Sequence, residues 1–243
     1  MGTGGRMESV WTLLSWGPDG WSKQIAYGVL ITISLAAATL PVGLVIGFLI
    51  ALAKQSKDPS LRLAGNVYTT IFRGLPELLT LFLVFFGAQI ALQKLVQLFD
   101  PTGTVEVNAF VSGMIALGVV FSSYASEVFL SAFRAIPKGQ YEGGFAVGLT
   151  SGQTMRLVVL PQLIRIALPG LANLWLILLK DTALVSAVGL PDILRQAGVA
   201  ARVTKHAFLF FGYAALIYLV LAIISSFGIN AIERAVGRRE ANR

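Results

Sequence analysis

Gln24-Ile-Ala-Tyr-Gly-Val-Leu-Ile-Thr-Ile-Ser-Leu-Ala-Ala-Ala-Thr-Leu-Pro-Val-Gly-Leu-Val-Ile-Gly-Phe-Leu-Ile-Ala-Leu-Ala53 is a run of thirty residues without a charged side chain, bounded by Lys23 and Lys54. A helix rises about 1.5 Å per residue, so about 20 apolar residues cross roughly 30 Å of hydrocarbon, and this run is long enough to do so alone. The rest of the chain agrees with that reading. Of 243 residues, 56% are hydrophobic and 13% charged, with a mean hydropathy of +0.75, far from the balance of soluble domains.

Working outward, the spacing of charges defines four further apolar stretches. The expected spans are about 24–54, 65–92, 107–135, 163–190 and 206–234, all within one domain, 1–243. The fold class is therefore all-α, an integral membrane protein with five transmembrane helices. The first span begins only after Lys23 and exceeds a signal-peptide core in length, so it is expected to be retained. No cysteine is present and His206 is the single histidine, which excludes disulfides, thiolate metal sites and histidine clusters.

Five spans put the termini on opposite sides of the membrane. With the amino terminus outside, 12 of the 19 lysines and arginines fall in cytoplasmic segments, among them Lys54, Lys57, Arg134, Lys138, Arg156 and the carboxyl-terminal arginines. The other seven are Arg6, Lys23, Lys94, Lys180, Arg195, Arg202 and Lys205. The expectation is an amino terminus outside and a carboxyl terminus in the cytoplasm. The +7 formal charge then follows from topology and anionic lipid, and calls for no nucleic acid.

Between the third and fourth spans runs the loop 136–161, here quoted from the last residue of the third span, Ala135-Ile-Pro-Lys-Gly-Gln-Tyr-Glu-Gly-Gly-Phe-Ala-Val-Gly-Leu-Thr-Ser-Gly-Gln-Thr-Met-Arg-Leu-Val-Val-Leu-Pro161. It is too polar to cross. Pro137 stops the preceding helix, Tyr141 to Val147 suit a short helix, and Gly148 ends it. A short helix held off the membrane between two spans is a lever, since force applied to it moves both spans.

Glu142-Gly-Gly, Gly148 four residues beyond Gly144, and Val158-Val-Leu-Pro161 resemble the "EAA" loop of ABC-importer permeases. Gly143 and Gly144 depart from that family's usual alanines, and each should loosen the helix by roughly 1 kcal/mol. The resemblance extends through Phe72-Arg-Gly-Leu-Pro-Glu-Leu-Leu79 and Leu179-Lys-Asp-Thr-Ala-Leu-Val-Ser186 to the polar amino acid branch, that of histidine, arginine, lysine, ornithine and opine permeases. It implies a type I importer permease in a bacterial inner membrane, with Tyr141, Glu142, Gly143, Gly144, Gly148, Leu149 and Pro161 docking on the ATPase. The implied partners are a second, homologous or identical permease subunit, two cytoplasmic ATPase subunits, an extracytoplasmic solute-binding protein and membrane lipid. No Gly-x-x-x-x-Gly-Lys-Ser/Thr sequence occurs, so this chain is no ATPase, and ATP and magnesium belong to the partner subunits.

Charge at membrane depth costs roughly 2.5–3.5 kcal/mol, which singles out Glu77 and Asp181. Counted from the expected edges of their spans, both lie near mid-depth. Gly74 and Pro76, flanking Leu75, interrupt the helix before Glu77, and a broken helix frees carbonyl and amide groups for the two ends of an amino acid. Gly74, Leu75, Pro76, Glu77 and Asp181 are the candidate substrate residues, and an acid there suits a cationic substrate. The competing reading pairs Arg73 with Glu77 at i and i+4 on one helix face, while Asp181 and the neighbouring membrane-depth charge Lys180 find local partners.

Four other features have structural readings. Glu127 lacks the helical i,i+3 arginine usual in the resembling family, having Leu130 and Ser131 instead, and reads as a structural or lipid-edge charge. His206 reads as a headgroup-level residue, and Trp11, Trp16 and Trp21 as interfacial anchors or contacts for a delivery protein. Gly43 and Gly47 form a small-residue packing motif of low specificity. An ion-driven carrier would also use Glu77 and Asp181, but it has no use for a coupling loop and would show an inverted repeat. A membrane enzyme lacks a nucleophile-base pair to work with.

Overall fold

A computed structural model describes the backbone of residues 11–241 and the side chains of residues 11–235; the side chains of Arg6, Arg238, Arg239 and Arg243 lie outside these. Nine α-helices are numbered here: α1 Ser22–Gln55, α2 Pro59–Gly74, α3 Glu77–Gln97, α4 Ala109–Ala135, α5 Lys138–Ala146, α6 Ser151–Thr154, α7 Leu160–Asp181, α8 Ile193–Thr204 and α9 Ala207–Ala241. A π-helical turn, Met155–Val159, joins α6 to α7, and a 3-10 helix, Thr182–Val188, continues α7. Among the described residues, five helical stretches are long and apolar enough to cross a membrane: Ser22–Gln55, Glu77–Gln97, Ala109–Ala135, Ser151–Val188 and Ala207–Ala235.

The second of these differs from the expected 65–92. Asp58 caps a separate helix, its carboxylate accepting from the Ser60 amide at 2.8 Å, and Pro59 occupies the first helical position. That helix, α2, stops at Gly74, because Pro76 disfavours helical backbone in Leu75, and α3 starts afresh at Glu77.

The chain forms two compact units. One collects residues up to Ala38, Leu81–Ile115 and Leu179–Ala222. Its core is Ile25, Ile193, Ala197, Ala200, Ala201, Phe210 and Ala214, with Trp21 edge-on to Phe210 at 6.4 Å between ring centroids. Trp21 is thus a half-buried residue packed against this core, while Trp11 and Trp16 are exposed. Gly28 permits a close approach of α1 to the start of α8: a Cβ there would meet the Asp192 carbonyl at 2.8 Å. In the same unit, Gln89 and Gln93 hold an extended loop by its backbone. Gln93 accepts from the Val105 amide at 3.1 Å and donates to Gly103 at 2.7 Å, while Gln89 accepts from the Val107 amide at 2.8 Å.

The other unit collects Thr39–Thr80, Ala116–Leu178 and Ile223 onward. Small residues bring α1 against α4. A Cβ on Gly43 would meet the Phe121 ring at 2.4 Å, and one on Gly47 would lie 2.9 Å from the Ala125 Cβ and the Ser122 carbonyl. The pair read as a weak packing motif is a close helix contact. Phe48 stacks edge-on against Phe129 at 5.5 Å, and Gly170 of α7 receives Val128. The buried hydroxyls of Ser123 and Ser126 donate to carbonyls three residues back at 2.7 Å, which satisfies them inside an apolar helix.

Candidate functional site

Lys138–Ala146 forms the expected short helix between two membrane-length ones, with Pro137 at its N-cap in extended backbone. The chain then turns sharply at Gly148, where φ is +85°, a region that glycine enters without steric cost. The turn is closed by the Gly148 amide donating to Phe145 and the Leu149 amide to Gly144, both at 3.0 Å, which satisfies carbonyls left open at the helix end. Glu142, Gly143 and Gly148 are exposed, Tyr141 and Leu149 half-buried, and Gly144 alone within α5 is buried. Partial burial raises the Tyr141 phenol above its ordinary pKa.

The next cap is equally explicit. Thr150 and Gln153 form a reciprocal capping box at the start of α6, and the backbone runs through the π turn into α7, whose first turn contains Pro161. Gln162 in that turn donates to the Gln140 side chain of α5 at 2.9 Å. The expected coupling residues therefore occupy one contiguous structure, a helix, a glycine turn and a capped return.

Glu77 is the first residue of α3, not a residue twelve positions inside a continuous span. The helix dipole favours an acid in a first turn, and first-turn amides have no acceptor inside the helix. Arg73 does not pair with Glu77. The break at Leu75 and Pro76 separates them, and the Arg73 guanidinium lies 3.4 Å from the Glu127 carboxylate and 5.6 Å over the Tyr124 ring. Among the described residues Glu77 has no ion-pair or side-chain hydrogen-bond partner, and it is half-buried. Asp181 ends α7, in the unit that does not contain Glu77, and it is not without an interaction partner.

Glu127, read from the sequence as a structural or lipid-edge charge, is structural, and its partners are what the sequence reading missed. It accepts a hydrogen bond from Lys54, which also donates to Thr69 at 3.1 Å, and Arg73 completes the cluster. Its cations come from α1 and α2 instead of from its own helix. The Lys54 side chain is 8% exposed and Glu127 32%, so this is an internal ion pair and not a lipid-edge charge.

Asp192 was also overlooked, although a Pro-Asp pair before an apolar helical pattern is an N-terminal signature. It caps α8, accepting from the Arg195 amide at 2.9 Å, and Tyr218 of α9 donates to it at 3.5 Å. The Ile193 amide donates to Thr32 of α1 at 3.4 Å. Asp192 is fully buried, and desolvation pushes its pKa up to about 6 against the pull of these hydrogen bonds.

A helical chain with five membrane-length stretches and an exposed, rigidly capped helix between the third and fourth has the build of a membrane transport subunit. The chain belongs to the family of binding-protein-dependent transport system inner membrane components, whose pattern matches residues 41–238. It is a multi-pass inner membrane permease subunit of an ABC importer, with the type I importer fold, and the relatives it matches are permease subunits. It is 42% identical over 228 residues to the nopaline transport system permease protein NocQ of Agrobacterium fabrum, covering 93% of this chain and 97% of that protein. It is 37% identical to the histidine/lysine/arginine/ornithine transport system permease protein HisQ of Escherichia coli, covering 92% and 98%. Among solved structures, the crystal structure of an amino acid ABC transporter with histidines matches with a TM-score of 0.75 at 30% identity, over 88% of this chain and 95% of that one. The inward-facing MetNI methionine transporter shares the fold at a TM-score of 0.70 and 19% identity.

Proposed function

We propose that this permease imports cationic amino acids or opines by alternating access, driven by ATP hydrolysis on partner subunits. The observation that carries the transport reading is α5, a nine-residue helix presenting Glu142 and flanked by membrane-length helices on both sides. In this reading α5 docks with Tyr141, Glu142, Gly143, Gly144, Gly148 and Leu149 into a cytoplasmic ATPase subunit, while Pro161 starts the helix that receives the motion. Two permeases and two ATPases make the complex, ATP and magnesium stay on the ATPases, and a solute-binding protein delivers the solute from outside. ATP-driven closure turns the permease pair outward, and hydrolysis returns it inward. The amino terminus is outside and the carboxyl terminus cytoplasmic, as the lysine and arginine bias supports.

The cationic substrate is supported by two things. Relatives in the nopaline and histidine/lysine/arginine/ornithine systems are similar over more than nine-tenths of the chain. The half-buried Glu77 carboxylate also has no cation of its own, Arg73 being held by Glu127 and Tyr124. At the α2–α3 break, Gly74, Leu75 and Pro76 place an open helix end beside an open helix start. Free carbonyls there suit the ammonium of an amino acid, free amides its carboxylate, and Glu77 a cationic side chain. Asp181 is the second acidic candidate.

The test is uptake of labelled arginine, histidine, glutamine and glutamate into proteoliposomes containing the assembled complex, with and without internal ATP. ATP-dependent uptake of arginine or histidine is the expected result. Uptake confined to glutamine or glutamate would remove the cationic reading, and uptake driven by an ion gradient without ATP would remove the importer reading.

A further inference from the structure

Gly144 is the buried glycine of α5, and its surroundings leave no room for a side chain. A Cβ built on Gly144 would lie 2.5 Å from Thr154 Cγ2, 2.8 Å from Thr154 Oγ1 and 3.1 Å from Thr154 Cβ. Contacts this short do not occur between real side chains, so Thr154 already fills the volume that an alanine at 144 would need. Thr154 is 1% exposed, and its hydroxyl is the one buried side-chain oxygen or nitrogen among the described residues without a hydrogen-bond partner. Without a polar partner, this side chain acts at its site through its shape.

Thr154 also holds a pivotal place in the backbone. It is the last residue of α6, immediately before the π-helical turn Met155–Val159 that leads into α7. By contrast, a Cβ on Gly139, Gly143 or Gly148 meets nothing within 4 Å, so Gly144 is the only glycine of α5 and its turn that is packed. The direct hydrogen bond from α5 to α7, Gln140 to Gln162, is exposed and lies between flexible side chains. It transmits force poorly, whereas close-packed side chains transmit displacement well.

We propose that Thr154 is a positioning residue for energy coupling: its branched side chain, seated on Gly144, is a close-packed contact that helps pass movement of α5 to the π turn and α7, beside the direct packing of α5 on that turn. Gly144 and Thr154 form a size-matched pair, glycine on the coupling helix and a two-branched side chain opposite. This rests on the importer reading given above. Thr154 touches neither solute nor ATPase in this proposal; it acts through α5.

The experiment compares Thr154→Ala, Thr154→Val, Gly144→Ala and the Gly144→Ala/Thr154→Ala double variant in the complete transporter. The readouts are recovery of ATPase subunits with the permease, ATP hydrolysed, and solute imported per ATP. Thr154→Ala, which opens a gap, should lower solute imported per ATP by fivefold or more while ATPase subunits are still recovered. Thr154→Val keeps both branches and should restore the ratio. Gly144→Ala should impair coupling or assembly, and adding Thr154→Ala, which leaves only the 3.1 Å contact to relax, should recover at least part of the loss. An unchanged ratio in Thr154→Ala, or a double variant no better than Gly144→Ala alone, overturns the proposal. If Gly144→Ala does not assemble, the two Thr154 variants decide alone. Absence of ATP-dependent import by the unaltered complex would instead count against the importer reading.

Discussion

Lys54 at the end of α1 and Glu127 in the last third of α4, seventy-three positions apart, form a half-buried ion pair, with Thr69 as a further acceptor for the lysine and Arg73 as a second cation for the acid. The charges neutralise each other inside the helix packing. Three helices of one unit are joined by this single carboxylate.

Removing the acid should therefore be costly. Glu127→Gln leaves Lys54 8% exposed with only neutral partners, and losing a charged hydrogen bond of this kind costs about 1.5–3 kcal/mol. The expected outcome is a large drop in the unfolding temperature of the detergent-purified protein. Substituting both Glu127→Gln and Lys54→Met should lose less than the two single changes added together. Additive losses in that double-variant cycle would show that the pair is not coupled.

Glu77→Gln should behave differently. Glu77 has no partner to lose, so assembly and unfolding temperature should stay close to those of the parent, while arginine import falls at least tenfold, equivalent to about 1.4 kcal/mol of lost interaction. Equal arginine uptake at equal expression would rule out Glu77 as a charge selector.

Gly148 carries its turn at φ +85° with open space around it, so substitution there is a test of backbone alone. Gly148→Ala should cost roughly 1–2 kcal/mol of local strain and displace α5, reducing solute imported per ATP. Gly143→Ala, in open space on the exposed face of α5, should instead strengthen the helix by roughly 1 kcal/mol. Circular dichroism will not resolve one nine-residue helix. Amide hydrogen exchange across residues 138–149 will, with faster exchange expected in the first variant and slower in the second.

Asp192 makes stability depend on pH with a defined sign. Its folded pKa is raised from 3.8 to about 6 by burial, so between those values the folded state holds a proton that the unfolded state has released. Stability from this group is complete below about pH 4 and declines as pH rises through 6, by an order of 3 kcal/mol. Asp192→Asn keeps the helix cap but cannot ionise. Relative to the variant, the parent should lose unfolding temperature between pH 4.5 and 7.5, and parallel curves for the two would refute the assignment.

Much of this protein follows from local chemistry. Runs without charge longer than the bilayer require membrane helices wherever they fall, Pro137 and Gly148 delimit a short helix by backbone sterics alone, and Pro76 breaks α2 from α3. Those features depend on residues close in sequence, and so sequence determines them. The family relationship was legible for the same reason, since the loop 136–161 carries its pattern in consecutive residues.

Only the tertiary structure decided the partners. Arg73 and Glu77 are spaced for an ion pair on a continuous helix, but the break turns Arg73 to Glu127 of another helix. Glu127 lacks a partner on α4 and finds Lys54 far along the chain, and Gly144, a defect in a free helix, is a fit to Thr154 in the folded one. Spacing along a chain constrains neighbours within a few turns. Which side chain meets a buried charge or fills the volume beside a glycine depends on how helices distant in sequence pack, because in a close-packed interior that space and that counter-charge are supplied by other segments.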